Sequence, residues 1–233
     1  MTEDAELLRR YAEEGQEEAF AQLVQRHLGF VHAVALRQVG GEAHLAQDVV
    51  QRVFSDLARK AGALCRHPVL TGWLYRSAQF TAGKAMRSEL RRRRREQEAY
   101  TMHELTAESE AAVDPNKLRP VLDTAMGELS DRDRDAVMLR FFEGQAFAQM
   151  GAKLRLTEDA ARMRVERALG RLRAALQRRG VISTEAALAM VLASEAAQAA
   201  PAGLASVITG SALAGTGASG TLATLLAFMS TTK

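Results

Sequence analysis

The sequence predicts an all-α protein, and three observations predict it. Apolar residues recur at the helical period through successive segments. Glycines and N-capping residues punctuate those segments where a helix must stop or start. A short helical pattern, a tight turn and a long helical pattern follow one another near residue 150. The chain has 233 residues, 47% apolar and 25% charged, which is ordinary for a folded chain and enough for one large domain or two small ones.

In chain order, "DAELLRRYAEEG" (4–15) places Leu7, Leu8 and Tyr11 on one side of a helix. The stretch 16–40 repeats Phe20, Leu23, Val24, Leu28, Val31, Val34 and Ala35 close to the helical period, and Gly40-Gly41 ends it. In 42–62, Leu45, Val49, Val53 and Leu57 form a stripe with Ala46, Val50 and Phe54 beside it. The stretch 65–70 is a connector, because Pro68 disfavours helix just before it. Thr71 is the expected N-cap of a helix running to about residue 98. Residues 100–115 are polar and acidic without periodicity, and read as a linker between two helical domains, 1–99 and 116–180.

The second domain opens with a helix broken or started at Pro120. Ser130 then caps a helix whose start carries Asp131, Asp133 and Asp135, where the helix dipole favours acids. A short helix (146–154), a turn at Arg155 and Leu156, and a long helix capped by Thr157 with Glu158 and Asp159 in its first turn make a helix-turn-helix. Ala161, Val165, Ala168, Leu169 and Leu172 form its buried stripe, which leaves Asp159, Arg162, Met163, Glu166 and Arg167 facing outward.

The net charge is only +3, so the distribution carries the information. Residues 151–180 hold nine Lys or Arg against three acids, and 87–95 hold six arginines. Two separate basic stretches are the footprint expected of a nucleic-acid binder. Arg162 is placed to donate to guanine in the major groove, and Arg164, Arg167 and Arg171 to meet phosphates. The arginine run at 91–95 encircles its helix, so by itself it reads as a solvated helix end. The segment before it changes the balance, because Trp73, Tyr75, Arg76, Phe80 and Lys84 mix rings with cations. Exposed rings stack on unpaired bases at ~1–3 kcal/mol per base; the bland alternative for each ring is core packing.

No enzymatic constellation is assembled. Cys65 is the one cysteine, so neither an intrachain disulfide nor a cysteine-built metal cluster is expected, which suits a reducing cytosol. The five histidines lack ligand spacing and read as surface or boundary residues, and no phosphate-binding loop or nucleophile elbow is present. No cofactor or metal is expected. The N-terminus reads as a charged helix rather than a signal peptide, and a cytoplasmic location is expected.

The stretch 4–62 followed by "HPVLTGWLYRSAQFTAGKAMRSELRRRRREQEA" resembles region 2 of a bacterial sigma factor, and "MGELSDRDRDAVMLRFFEGQAFAQMGAKLRLTEDAARMRVERALGRLRAAL" resembles region 4. Their direct connection is the arrangement of the compact extracytoplasmic-function (ECF) group of the sigma-70 family. The resemblance covers about residues 4–180, and its most specific strings are "DVVQRVF", "GWL" and "RMRVERAL". It implies a region 2 four-helix bundle whose Asp48, Gln51, Arg52 and Phe54 dock on the β′ clamp helices of core RNA polymerase. It implies that the 65–70 connector and the helix bearing Trp73, Tyr75, Arg76, Phe80, Lys84, Arg87 and Arg91 open and read the promoter −10 element. Region 4, which meets the polymerase β flap, would read the −35 element through Thr157, Glu158, Asp159, Arg162, Met163, Arg164, Arg167 and Arg171. The linker acids Glu104, Glu108, Glu110 and Asp114 would lie on the path toward the RNA exit channel. Further partners implied are an anti-sigma factor or the chain's own C-terminal extension.

Two features depart from the pattern. Arg155 stands in the turn where glycine is common, and a left-handed conformation costs an L-residue energy. The chain also continues beyond residue 180 with an uncharged, Gly- and Ala-rich tail from 196 to 232. That tail is long enough to span a bilayer, but its strongest apolar piece, 221–229, is too short alone. The alternative is a regulatory appendage: a helix at 184–200 with Ala187, Leu188, Val191 and Leu192 on one side, and small-residue helices that pack on region 2 or 4 as a built-in brake. Two other function classes stay open at this stage, a helix-turn-helix regulator acting without polymerase and a membrane-tethered adaptor.

Overall fold

The computed structural model describes residues 3–99, 115–181, 188, 192 and 201–215, with the course of the helix alone for 93–99 and 115–120. The linker at 100–114, most of the helix expected at 184–200, and the apolar piece 221–229 lie outside the described residues. Every regular element described is helical: α1 (Asp4–Glu14), α2 (Glu17–Gln38), α3 (Ala43–Leu64), α4 (Leu70–Ala99), α5 (Pro115–Glu128), α6 (Asp131–Val137), a π-helical turn (Met138–Phe142), α7 (Phe147–Leu154), α8 (Glu158–Gln177) and α9 (Leu204–Ala214).

Helices α1 to α4 pack as one bundle around the apolar stripes read from the sequence, with Leu7, Leu8, Phe20, Leu23, Val24, Val31, Val34, Val49, Val53, Phe54 and Leu57 fully buried. Two polar side chains also enter this bundle. His27 and His32 are buried, contrary to the surface or boundary position expected of the histidines. His27 owes its place to Asp4, whose Oδ2 lies 2.7 Å from the His27 Nε2 and ties α1 to α2. Burial alone would raise the Asp4 pKa, but His27 and Arg26 outweigh it and hold the carboxyl below its ordinary value. Helix α4 begins at Leu70, so Thr71 lies within its first turn rather than capping it.

Helices α5 to α8 form the second unit. Helix α5 runs from Pro115 through Pro120 without a break. Ser130 does cap α6, accepting from the Asp133 amide, and Thr157 caps α8, accepting from the Ala160 amide. Buried Arg134 closes the α5–α6 corner by donating to the carbonyls of Met126, Gly127 and Leu129, carbonyls that a helix end otherwise leaves unsatisfied. The expected stripe of α8 is buried throughout. The π turn at 138–142 aims Phe142 out of its own unit and onto Phe30 of α2, an edge-to-face pair with centroids 5.1 Å apart.

The two units dock through α4 on α6 and on the π turn, and through α2 on α5. Beyond residue 180, Leu188 and Leu192 are helical and buried, and α9 packs on α3 and α2. Among the described residues no helix is long and apolar enough to cross a membrane, and the described part of the tail gives no support to membrane association.

Candidate nucleic-acid and partner interfaces

The helix-turn-helix owes its geometry to two backbone constraints. Arg155 ends α7 in the left-handed conformation, φ 56° and ψ 48°, so the turn does form despite the missing glycine. Gly151 is the glycine the turn requires. A Cβ there would lie 2.7 Å from the Leu156 carbonyl oxygen and 3.3 Å from the Thr157 carbonyl carbon, a backbone contact that cannot yield. With α7 and α8 held this close, Thr157, Glu158, Asp159, Arg162, Met163, Arg167 and Arg171 are exposed and Arg164 is half-buried. Met163, 54% exposed, is an unusually bare apolar side chain for a helix surface.

The cations on this face are only loosely held. Arg162 is 3.8 Å from Glu158 and sits over the Phe147 ring at 5.3 Å. Exposed pairs of this kind contribute little, so Arg162 is available to an anion or a base edge. Arg167 donates to the Met163 carbonyl one turn back, and Arg171 is paired with Asp133 of α6.

Helix α4 divides its ring-and-cation segment between two fates. Phe80 is 62% exposed, with the Lys84 ammonium 4.4 Å from its ring centroid. Trp73 is half-buried, with Lys60 6.0 Å from its ring. Arg76 is exposed but paired with Asp131, and Arg87 and Arg91 are exposed on the same helix. Tyr75 departs from expectation. It is 1% exposed, and its hydroxyl donates 2.8 Å to Asp123 Oδ1 on α5. Burial first, and then the Asp123 charge, push its pKa well above the ordinary value. As the molecule stands, Tyr75 touches the second helical unit and no solvent.

Around Tyr75 the docking contact is polar and nearly dry. Asp123 accepts from Arg37 Nε at 2.9 Å and Nη2 at 3.3 Å, and its carbonyl accepts from Gln79 at 2.6 Å. Thr71 donates 2.7 Å to Glu143 instead of capping its helix. Gly72 meets Asp135 so closely that a Cβ there would sit 2.0 Å from the Asp135 Oδ1. Desolvation chiefly, helped by Asp131 and Glu143 and opposed by Arg134, raises the Asp135 pKa to about 6. None of Arg37, Gln79, Asp123, Asp135 and Glu143 is distinguishable in sequence as a contact between units, because each is an ordinary polar residue until the two units meet.

On α3, Asp48, Gln51 and Arg52 are exposed on one face and make no hydrogen bond or ion pair among the described residues. Phe54 does not share that face. It is fully buried in the bundle, since it lies on the apolar side of the helix with Val50 and Val53, and a partner could not reach it. Ser211 and Gly215 of the tail line the same cleft as Asp48, Gln51, Arg52, Ser55 and Arg59.

Comparison with known proteins matches both units in order. Residues 23–96 match sigma-70 region 2, and residues 125–174 match sigma-70 region 4. The RNA polymerase sigma factor CarQ of Myxococcus xanthus is 32% identical over 164 residues, which is 69% of this chain and 90% of that relative. Among solved structures, the sigma factor RpoE in complex with the anti-sigma factor NepR from Bartonella quintana matches at 21% identity and a TM-score of 0.31, over 69% of this chain and 98% of that one. Helix α9 lies outside both matched regions.

Proposed function

We infer that the chain, which belongs to the sigma-70 family of RNA polymerase sigma factors and to its compact ECF group, brings core RNA polymerase to promoters and helps to open them. The observation that carries this reading is the ordered match of regions 2 and 4 to the two helical units that bear the exposed cations. In this reading Asp48, Gln51 and Arg52 meet the polymerase β′ subunit; Phe54 supports that face from beneath. Region 4 docks near the β flap and lays the start of α8 in the major groove, with Arg162 on a base edge and Arg164, Arg167 and Arg171 on the backbone.

Helix α4 then holds the melted −10 strand. Phe80 offers a stacking face, Lys84, Arg87 and Arg91 track phosphates, and Trp73 borders the opening. Base capture supplies the free energy of melting, so no nucleotide hydrolysis is needed. Tyr75 and Arg76 join this surface only when region 4 lifts from α4, so the docked arrangement is a resting form. Run-off transcription with core polymerase on a genomic template pool tests the assignment. A start-site-specific transcript and capture of core polymerase are expected. A chain that bound duplex DNA alone and ignored polymerase would instead be a helix-turn-helix regulator.

A further inference from the structure

The tail helix α9 sits where the polymerase is expected to dock. Its Leu204, Ile208 and Ala212, spaced by four residues, are buried, and it packs on α3 and α2. Its C-terminal end, Ser211 and Gly215, shares a cleft with Asp48, Gln51, Arg52, Ser55 and Arg59. The carbonyl end of a helix carries partial negative charge, which suits a cleft bordered by two arginines. Yet Asp48, Gln51 and Arg52 gain no hydrogen bond or ion pair there. The tail therefore borders these groups without satisfying them, and they stay exposed beside it, so a partner that takes the whole α3 face meets α9 at its edge and gains contacts that α9 does not make.

The tail helix is also built to let go. It has 11 residues, no charge and a glycine, Gly210, in its interior. A helix that short is marginal in water, so it holds its form only while packed. Once displaced it gains chain entropy, which favours the displaced state.

We propose that α9 is an intramolecular competitor of core RNA polymerase for the α3 face bearing Asp48, Gln51 and Arg52, seated by Leu204, Ile208 and Ala212. This rests on the reading that α3 docks polymerase. Tethering makes the tail effective at no cost in concentration. When α9 is displaced in only a fraction of molecules, the apparent Kd for polymerase rises by the inverse of that fraction.

The test uses the full-length chain. Ile208→Glu places a charge in the seat, Ile208→Ala removes most of the seat's apolar contact, and Val207→Glu puts the same charge on the outer side, where Val207 is 64% exposed. Affinity for core polymerase is measured by fluorescence titration, and hydrogen exchange is followed in α3. Ile208→Glu is expected to tighten binding by about tenfold or more, Ile208→Ala by less, and Val207→Glu not at all. Exchange of α3 amides should rise in the order of the affinity gains, with the melting transition of the bundle retained. Unchanged affinity and unchanged exchange in both Ile208 variants overturn the proposal while leaving the sigma-factor reading intact, provided that Arg52→Ala weakens binding in all of them. Absence of polymerase binding in every chain, wild type included, overturns both.

Discussion

Asp123→Ala isolates the polar contact that holds region 4 against region 2. The Asp123 carboxylate takes two hydrogen bonds from Arg37, at 2.9 and 3.3 Å, and one from Tyr75 at 2.8 Å. Asp123 is buried and Arg37 largely shielded, with side-chain exposure of 11% for Arg37 and 4% for Asp123. Removing one partner of a buried pair costs up to about 3–5 kcal/mol, and less here, because Arg37 is only partly buried and keeps a further interaction of its own. Tyr75 loses less, since the Asp123 carbonyl remains an acceptor at 3.3 Å. Arg37 stands on α2 and Asp123 on α5, so the penalty exists only while the units are docked. Undocking returns Arg37 to water and cancels it. The cost therefore weakens docking and leaves each unit's own fold intact, and a loss of about 1.5–3 kcal/mol, as for a hydrogen bond to a charged group, shifts the docked-to-open ratio by roughly one to two powers of ten. Small-angle scattering of the full chain should show a larger radius of gyration for Asp123→Ala. Arg37→Ala combined with it should open the molecule by less than the two single changes predict together, because both remove the same pair. A scattering curve unchanged from wild type would refute this reasoning and put docking on the apolar Phe30–Phe142 contact instead.

Three further perturbations probe the same surfaces. Gly72→Ala brings a Cβ to 2.0 Å from Asp135 Oδ1 and should open the docked form at a cost of about 1–3 kcal/mol, read as increased radius with unimpaired helicity, because alanine favours α4 itself. Asp135 titrates near 6 against an ordinary 3.8, so it favours the folded, docked form at low pH and that contribution is lost as pH rises through about 6. Asp135→Asn should flatten the pH dependence of the denaturation midpoint between about pH 4 and 6 and raise the midpoint at pH 7.5. Below about pH 4 the lowered Asp4 and Asp131 carboxyls act the other way, so the window is bounded. Arg162→Ala should cost about 1–3 kcal/mol of binding at one −35 base pair and relax specificity there, whereas Arg167→Ala should weaken all sequences alike and reduce the salt dependence, both measured by promoter titration.

Much of this architecture was legible in the sequence because burial in helices is periodic. The stripes of α2, α3 and α8 and the caps at Ser130 and Thr157 needed no tertiary information. The surface roles expected of Phe54 and Tyr75 come from the family resemblance and from mixed rings and cations, not from periodicity, which sets Phe54 beside the buried stripe. Both sit next to exposed positions, yet their rings face a core or a docked domain. Thr71 has the chemistry of a cap, but Glu143 from the other unit claims its hydroxyl. The left-handed turn was readable at Arg155, while its enabling close approach at Gly151 depends on the Leu156 carbonyl folding back over α7. Whatever arises from two units meeting has no local signature, and the Arg37–Asp123–Tyr75 network belongs to that class.

The two covers lie on different sides of region 2, and whether they are linked is open to a decisive measurement. Region 4 covers Tyr75 on α4, while α9 borders the α3 row. Helix α2 touches both, through Arg37 to α5 and through its packing with α9. Any coupling between the two releases would run by way of α2. Sites without shared partners add to within about 0.3–0.5 kcal/mol. The fold-changes of Asp123→Ala and Ile208→Glu in transcription at limiting polymerase should therefore multiply. A double variant that exceeds or falls short of the product by more than about fivefold would mean that α2 relays one release to the other, making a single switch out of what the contacts describe as two independent locks.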